Sequence, residues 1–311
     1  MKVIALIPFK NEGWILPTYL SNVLPVVDEI IGIDDGSTDN SRQIMEDAGV
    51  KIHETSRIHD IEYGASITPR QKLLELGRES GGTHFVMLDA DETFTTNFVP
   101  VARDIMNQMT KGSALWMHWL ALWESWDHFR HDETIWSNNF KDFIFCDDGI
   151  SQHTWDGKCL HSIARTPVQG NNQLRTPTNV GSVLHYQFSN MNLFHTKQSW
   201  YRMTEHCKYG SGHENIINRK YSITLLNKNI GRVKCPDSWT EDIPLPLNKN
   251  NFDPEWSRTN TIRVDLLDEM LKMMDEHGVE YFEGLDIWHV PPLKNKFIAE
   301  SGRVPNAGES K

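Results

Sequence analysis

The sequence predicts an α/β fold, a mostly parallel sheet flanked by helices, and three observations carry that reading. Short apolar runs of strand length recur through the first third of the chain. Stretches with helical spacing of apolar residues separate them. Strands alternating with helices of this length form β-α-β units, whose crossovers cover both faces of a parallel sheet. Finally, acidic residues gather just after several of the apolar runs, where open α/β sheets bind their ligands.

Taken in order, residues 3–8 form the first buried strand. Asn11 is placed to cap a helix whose apolar face is Ile15, Leu16, Tyr19, Leu20, Val23 and Leu24, ending near Pro25. Residues 29–34 (EIIGID) are a second buried strand. In the DDGSTD segment that follows, Ser37 or Thr38 can cap a helix running to Ala48, with Gly49 as its stop. Residues 50–53 give a third strand, 69–77 a helix, and 84–88 (HFVML) a strand entering DADE. Residues 113–123 (SALWMHWLALW) fit a strand pair or a buried helix, and 124–180 read as long loops with short strands. Residues 180–188 end in a strand, a helix covers 196–209, and 236–260 is an irregular Pro- and Asn-rich connection. A last helix starts near Thr261, with Ile262, Leu266, Leu267, Met270, Leu271 and Met274 inward and Gly278 stopping it. The domain expectation is a ligand-binding half over 1–120 and a second half of the same domain over 121–235. A helical extension covers 236–300, and residues 301–311 form a disordered tail.

Composition narrows the function classes. With 31 Lys+Arg against 42 Asp+Glu the net charge is −11, and a nucleic-acid binder would need a basic footprint. The 39% hydrophobic content fits a globular chain. MKVIALIPFKNE is too short an apolar run for a signal segment or a span, so any membrane contact would be peripheral. Cys146, Cys159, Cys207 and Cys235 have no CxxC spacing and read as reduced thiols, and no glycosylation sequon occurs. The expectation is a cytoplasmic protein.

The strand-end rule singles out Pro8, Lys10, Asn11 and Glu12, then Asp34, Asp35, Gly36 and Asp39, then Asp89, Asp91 and Glu92. One aspartate at a strand end is commonly a helix cap. Three carboxylate groups on one edge repel each other, and a divalent cation or a ligand's hydrogen-bond donors would relieve that. DAD suits a hard metal ion that leaves positions open for phosphate oxygens. Neither a GxxxxGK[ST] loop nor a GxGxxG is present.

The run from VIALIPFKNE through DDGSTD, a helix beginning near Arg70, and VMLDADE together resemble the family 2 glycosyltransferases of the GT-A fold over roughly residues 1–120. The resemblance implies a Rossmann-like sheet with a loop-rich C-terminal acceptor region. It implies metal-dependent, inverting transfer of a sugar from a nucleoside-diphosphate sugar, UDP favoured, to a hydroxyl of a glycan, lipid-linked or protein acceptor. The segment from Pro8 through Lys10 to Glu12 would cradle the nucleotide, Asp35 would contact the base, and Arg70 would lie near the diphosphate. Asp89 would face the ribose or the metal, with Ala90 in the same nucleotide-binding turn. Asp91 would ligate Mn²⁺ or Mg²⁺, and His185 is the candidate further ligand; its plain alternative is a half-buried histidine.

A general base is needed past the DAD on the acceptor side. Asp148 is the first candidate, with Asp147 and Asp156 as alternatives. In the related subgroup that extends lipopolysaccharide cores a His-Glu pair often stands in this region, but here the spot reads His161–Ser162. Trp116, Trp119, Trp123, Trp126, Trp136 and Trp155 fit either an acceptor groove or the closure of a loop-rich core, with Trp123 and Trp126 expected at the surface. His128, Arg130 and His131 fit an anionic-acceptor contact or a solvated turn. The Met-rich last helix fits core or a docking face. Three rival readings stand beside this: a haloacid dehalogenase-type phosphatase using DADET, with its motifs in the wrong order; a nucleotidyltransferase, lacking its Gly-rich loop; and a non-catalytic nucleotide-sugar-binding protein.

Overall fold

A computed structural model describes residues 1–54, 67–153, 165–167, 173–222, 229–244 and 263–306. They form two compact units, one from Met1–Leu122, Trp126–Tyr186 and Val233–Phe252, the other from Trp123–Ser125, Gln187–Arg232 and Asp253–Lys311. The sequence reading divided the chain at 120 and 235; in the structure, one sheet runs on to residue 185, and residues 187–232 join the C-terminal unit.

The first unit follows the predicted alternation: β1 (Val3–Phe9), α1 (Leu16–Val23), β2 (Glu29–Asp34), α2 (Ser41–Asp47), β3 (Lys51–Glu54), α3 (Ile67–Glu79) and β4 (His84–Val86). After it come β5 (Glu92–Phe94), α4 (Ala102–Met106), β6 (Ala114–Ala121), β7 (His128–His131), β8 (Phe140–Cys146), β9 (Gln173–Arg175) and β10 (Ser182–His185). The sheet order is β3-β2-β1-β4-β8-β6-β10-β5, with β9 beside β6. β8 runs antiparallel to both β4 and β6, and β5 antiparallel to β10; the other pairs are parallel. Within residues 113–123, Ala114–Ala121 thus form one central strand, not a hairpin or a helix. β1 reads as a continuous apolar run because helices cover the parallel sheet on both faces. Leu73 and Leu74 of α3 bury against Ile4, Leu6, Ile31, Ile33 and Phe85. On α1, Asn22 pairs its amide with both backbone groups of Phe94, tying the helix to β5 (3.0 and 2.8 Å).

Two expected caps differ. Asn11 caps nothing: it sits at φ 54°, a left-handed conformation that Asn tolerates, and α1 starts without a side-chain cap. For α2, Asp39 takes the Ser41 N–H (2.9 Å), so neither Ser37 nor Thr38 is the cap.

The second unit is helical: α5 (Met191–Tyr209), α6 (Glu214–Ser222), and the helices Val264–His277 and Pro291–Ser301. The Asn190 side chain caps α5 through the Asn192 and Leu193 N–H groups (3.0 and 3.2 Å). Met270 and Met274 lie in a core with Met203, Tyr221, Phe282 and Phe297, so those methionines are core residues. Gly278 stops the Val264–His277 helix at φ 82°, as expected. Ile262 lies outside the described residues. Among those described, no helix is long and apolar enough to cross a membrane.

Candidate functional site

The chain runs from β1 to β2 and β3 on one side of β1, then returns to β4 on the other, so the strand order reverses at β1 and β4. The crevice beyond the carboxyl ends of such strands is where open sheets take ligands. The first two loops are knitted together there. The Asn11 side-chain oxygen accepts the Thr38 and Asp39 N–H groups (2.7 and 3.2 Å), and the Asn11 N–H donates to Ser37 Oγ (3.1 Å). Asp34 accepts the Ser37 N–H (2.8 Å) and Asp39 the Gly13 N–H (3.0 Å). These two aspartates are loop acceptors, the plain reading of a strand-end carboxylate. Asp35 stands half-buried beside them, with Pro8 and Lys10 half-buried at the end of β1. Glu12 accepts the indole N–H of Trp14 (2.8 Å).

The third loop holds the most charge. A turn from Asp89 to Glu92 (Glu92 N–H to Asp89 O, 3.0 Å) leads directly into β5. Arg70, in the first turns of α3, donates to one Asp89 oxygen (2.7 Å), and Arg165 reaches the other (2.9 Å). Glu92 is fully buried and accepts four hydrogen bonds. Trp119 Nε1 (2.6 Å) and one Arg165 terminal nitrogen (2.7 Å) meet its first oxygen; the other Arg165 nitrogen (2.6 Å) and the Asp89 N–H (2.8 Å) meet its second. Burial would raise the Asp89 pKa, but the Arg165 and Arg70 charges outweigh it and hold the carboxyl well below its ordinary range. Conversely, burial would lower Arg165, and the charges of Asp89 and Glu92 hold it above its ordinary value.

Asp91 and His185 are buried together, with His185 Nε2 3.4 Å from the Asp91 carboxylate. The His185 ring stacks on Trp119 (centroids 4.3 Å apart), and Lys141 Nζ lies 3.5 Å from the centre of the Trp119 ring. β10 delivers His185 because it runs parallel to β6 and ends at the same edge. The structure therefore brings Arg70, Asp89, Ala90, Asp91 and His185 to one edge of the sheet. It turns Asp89 toward two arginines, however. Among the described residues, no group of three or more His, Cys, Asp or Glu side chains is gathered that could hold a metal ion.

Asp147 and Asp148 are not part of this place. β8 runs against β4, so its C-terminal end lies at the amino edge of the parallel strands: Cys146 pairs with His84, and the Asp147 N–H donates to Thr83 O (3.0 Å). There Arg78 grips Asp147 with two bonds (2.9 and 2.7 Å), and Asp148 closes a turn by accepting the Ile150 and Ser151 N–H groups (2.9 and 2.8 Å). The expectation of a base at Asp148 or Asp147 is corrected on this ground, since chain order does not reveal that β8 enters the sheet reversed. Asp156, Trp155, Cys159, His161 and Ser162 lie outside the described residues. Trp123 and Trp126 are buried, not exposed. Arg130 is buried against Asp132 (2.7 Å), which makes it a structural ion pair and not an acceptor contact.

Sequence reading missed Arg165 and Lys141 as site residues, placed Trp119 only among the tryptophans of an acceptor groove or core, and gave Glu92 no role of its own. Arg165 lies 73 positions from Glu92, and no local spacing signals a partner so distant. Glu92 was legible only as the last residue of an acidic run.

The fold and this edge define an α/β protein with a cluster of charged side chains beyond the carboxyl ends of its parallel strands. Residues 4–149, just under half of the chain, match the model of Glycosyl transferase family 2. No match was found among curated proteins. Among solved structures, the chain is similar to TarS 1–349 of S. aureus in complex with UDP-GlcNAc, at 19% identity over 39% of this chain and 35% of that one, with a TM-score of 0.29. It is also similar to glucosyl-3-phosphoglycerate synthase from Mycobacterium tuberculosis, in complex with Mn²⁺, UDP and glucosyl-3-phosphoglycerate. There the identity is 18% over 39% of this chain and 44% of that one, with a TM-score of 0.28. The chain thus spans less than half the length of either. The family match leaves the phosphatase reading of DADET without support.

Proposed function

We propose that this protein is a glycosyltransferase that moves a sugar, with inversion, from a nucleoside-diphosphate sugar to a hydroxyl of a glycan or glycoconjugate acceptor, with a UDP-sugar favoured. The observation that carries the reading is the Asp91–His185 pair beside Arg70 and Asp89 at the carboxyl edge of the sheet, with Arg70, Asp89 and Asp91 inside the segment that matches the family 2 model. The donor set fits a divalent cation. A carboxylate oxygen and an imidazole nitrogen suit Mn²⁺ or a similar ion, and their 3.4 Å separation is close to that of neighbouring ligands at about 2.1–2.2 Å from one ion. Such an ion, when bound, acts as a Lewis acid toward the leaving diphosphate.

The chain's own residues do the rest. The knitted loops at Lys10–Glu12 and Asp35 hold the nucleoside, and Arg70 faces the diphosphate. The hydroxyl proton is accepted on the acceptor side, where Asp156 is the remaining candidate of the three considered.

Thermal unfolding with UDP, GDP, dTDP or CDP, with and without Mn²⁺, tests the proposal. One diphosphate at 100 times its dissociation constant is expected to add about 2.7 kcal/mol when metal is present. Asp91→Ala is expected to abolish the metal-dependent part of that shift. Absence of a shift with every diphosphate would sink the donor reading, and an unchanged shift in Asp91→Ala would sink the metal assignment.

A further inference from the structure

Glu92 is saturated: both its oxygens are fully used, by Trp119, Asp89 N–H and the two terminal nitrogens of Arg165. A carboxylate so occupied in a dry position serves neither as a base nor as a metal ligand. What it does is fix a guanidinium. Arg165, itself 11% exposed, is held by this fork with one edge against Asp89 at 2.9 Å. From the other side Arg70 binds the same carboxylate at 2.7 Å, while its second terminal nitrogen is buried and has no hydrogen-bond partner among the described residues. A buried guanidinium nitrogen left unbonded is costly and marks a place where an acceptor is missing. Of the three charged groups, Asp89 is the most exposed, at 34% of its side chain. Two guanidiniums therefore bracket one carboxylate, and Glu92 holds one of them in a two-bond fork. Guanidinium forks match phosphate oxygens in pairs, and a diphosphate offers more acceptor oxygens and more charge than a carboxylate.

We propose that Arg165, clamped by Glu92, is a second diphosphate-binding cation beside Arg70, and that Asp89 is the internal counter-ion holding both guanidiniums in place until the donor binds. The inference rests on the donor reading above. Arg165 is the residue in contact with the ligand; Glu92 is a positioning residue.

The test compares the nucleoside diphosphate that the wild-type full-length chain binds best (of UDP, GDP, dTDP and CDP) with its parent nucleoside, by titration calorimetry at fixed Mn²⁺. Arg165→Lys keeps the charge and loses the fork. The double variant Glu92→Gln/Arg165→Gln removes both buried charges together and so avoids stranding one of them. Both are expected to weaken diphosphate binding about 10–100-fold, the loss of one or two charge-assisted bonds, and to leave nucleoside binding unchanged. Glu92→Gln alone is expected to give the same selective loss. Unchanged diphosphate affinity in these variants, or an equal loss for diphosphate and nucleoside, overturns the proposal. A wild-type chain that binds none of the four diphosphates overturns the donor reading itself, and this inference with it.

Discussion

Lys141 sits half-buried in the sheet with its ammonium over the Trp119 ring, beside Arg165. Burial first, then the Arg165 charge, push it down to about 8, although Glu92, Asp89 and the ring face pull the other way. The consequence for stability has a definite sign. The folded value lies below the roughly 10.4 of an unfolded lysine, so between about pH 8 and pH 10.4 the unfolded chain binds more protons and stability rises with pH. Below about pH 8 both states carry the proton, and the cost of the buried charge is constant. Lys141→Met is expected to remove that rise, which urea denaturation of both proteins at about pH 8 and about pH 10 measures. An identical pH dependence in the two proteins would refute the assignment.

Helix α3 shows how an element's pattern and its packing say different things. Its helical stretch was legible from the sequence, but Gly77, read there as its end, lies inside a helix that continues to Glu79. The reason is tertiary: a Cβ at Gly77 would stand 2.5 Å from Phe85 Cε1 and 3.1 Å from Leu6 Cδ2, so only glycine lets α3 approach β1 and β4 this closely. Gly77→Ala should gain about 0.8–1.0 kcal/mol of helix propensity and lose roughly 1–3 kcal/mol to overpacking, a net destabilisation of about 1 kcal/mol. Thermal melting decides it; a stabilised variant would show that the contact yields freely. The loop between β1 and α1 carries the same lesson. Asn11 beside a helix start suggests a cap, yet it bonds to backbone groups 27 and 28 positions away.

At the scale of the whole chain, each unit has its own buried core. That of the second unit brings Phe282 and Met203 together with Met270 and Met274 of the Val264–His277 helix. Phe282→Ala removes a fully buried ring and is expected to cost about 3–5 kcal/mol, read as a lower urea midpoint; a loss well under 1 kcal/mol would contradict this core. Arg70 and His185 were singled out only by the family resemblance; by itself the sequence determined the β-α-β order and the strand ends at which Asp89 and Asp91 stand. Those features rest on hydrophobic periodicity and on the rule that parallel strands present their carboxyl ends together, and both are local. Only the tertiary structure decided that β8 enters the sheet reversed, which carries Asp147 and Asp148 to the opposite edge. It alone decided that Arg165 and Glu92 meet. Strand direction within a mixed sheet and ion pairs across 73 residues depend on how the chain folds back on itself, and no spacing along the sequence encodes that.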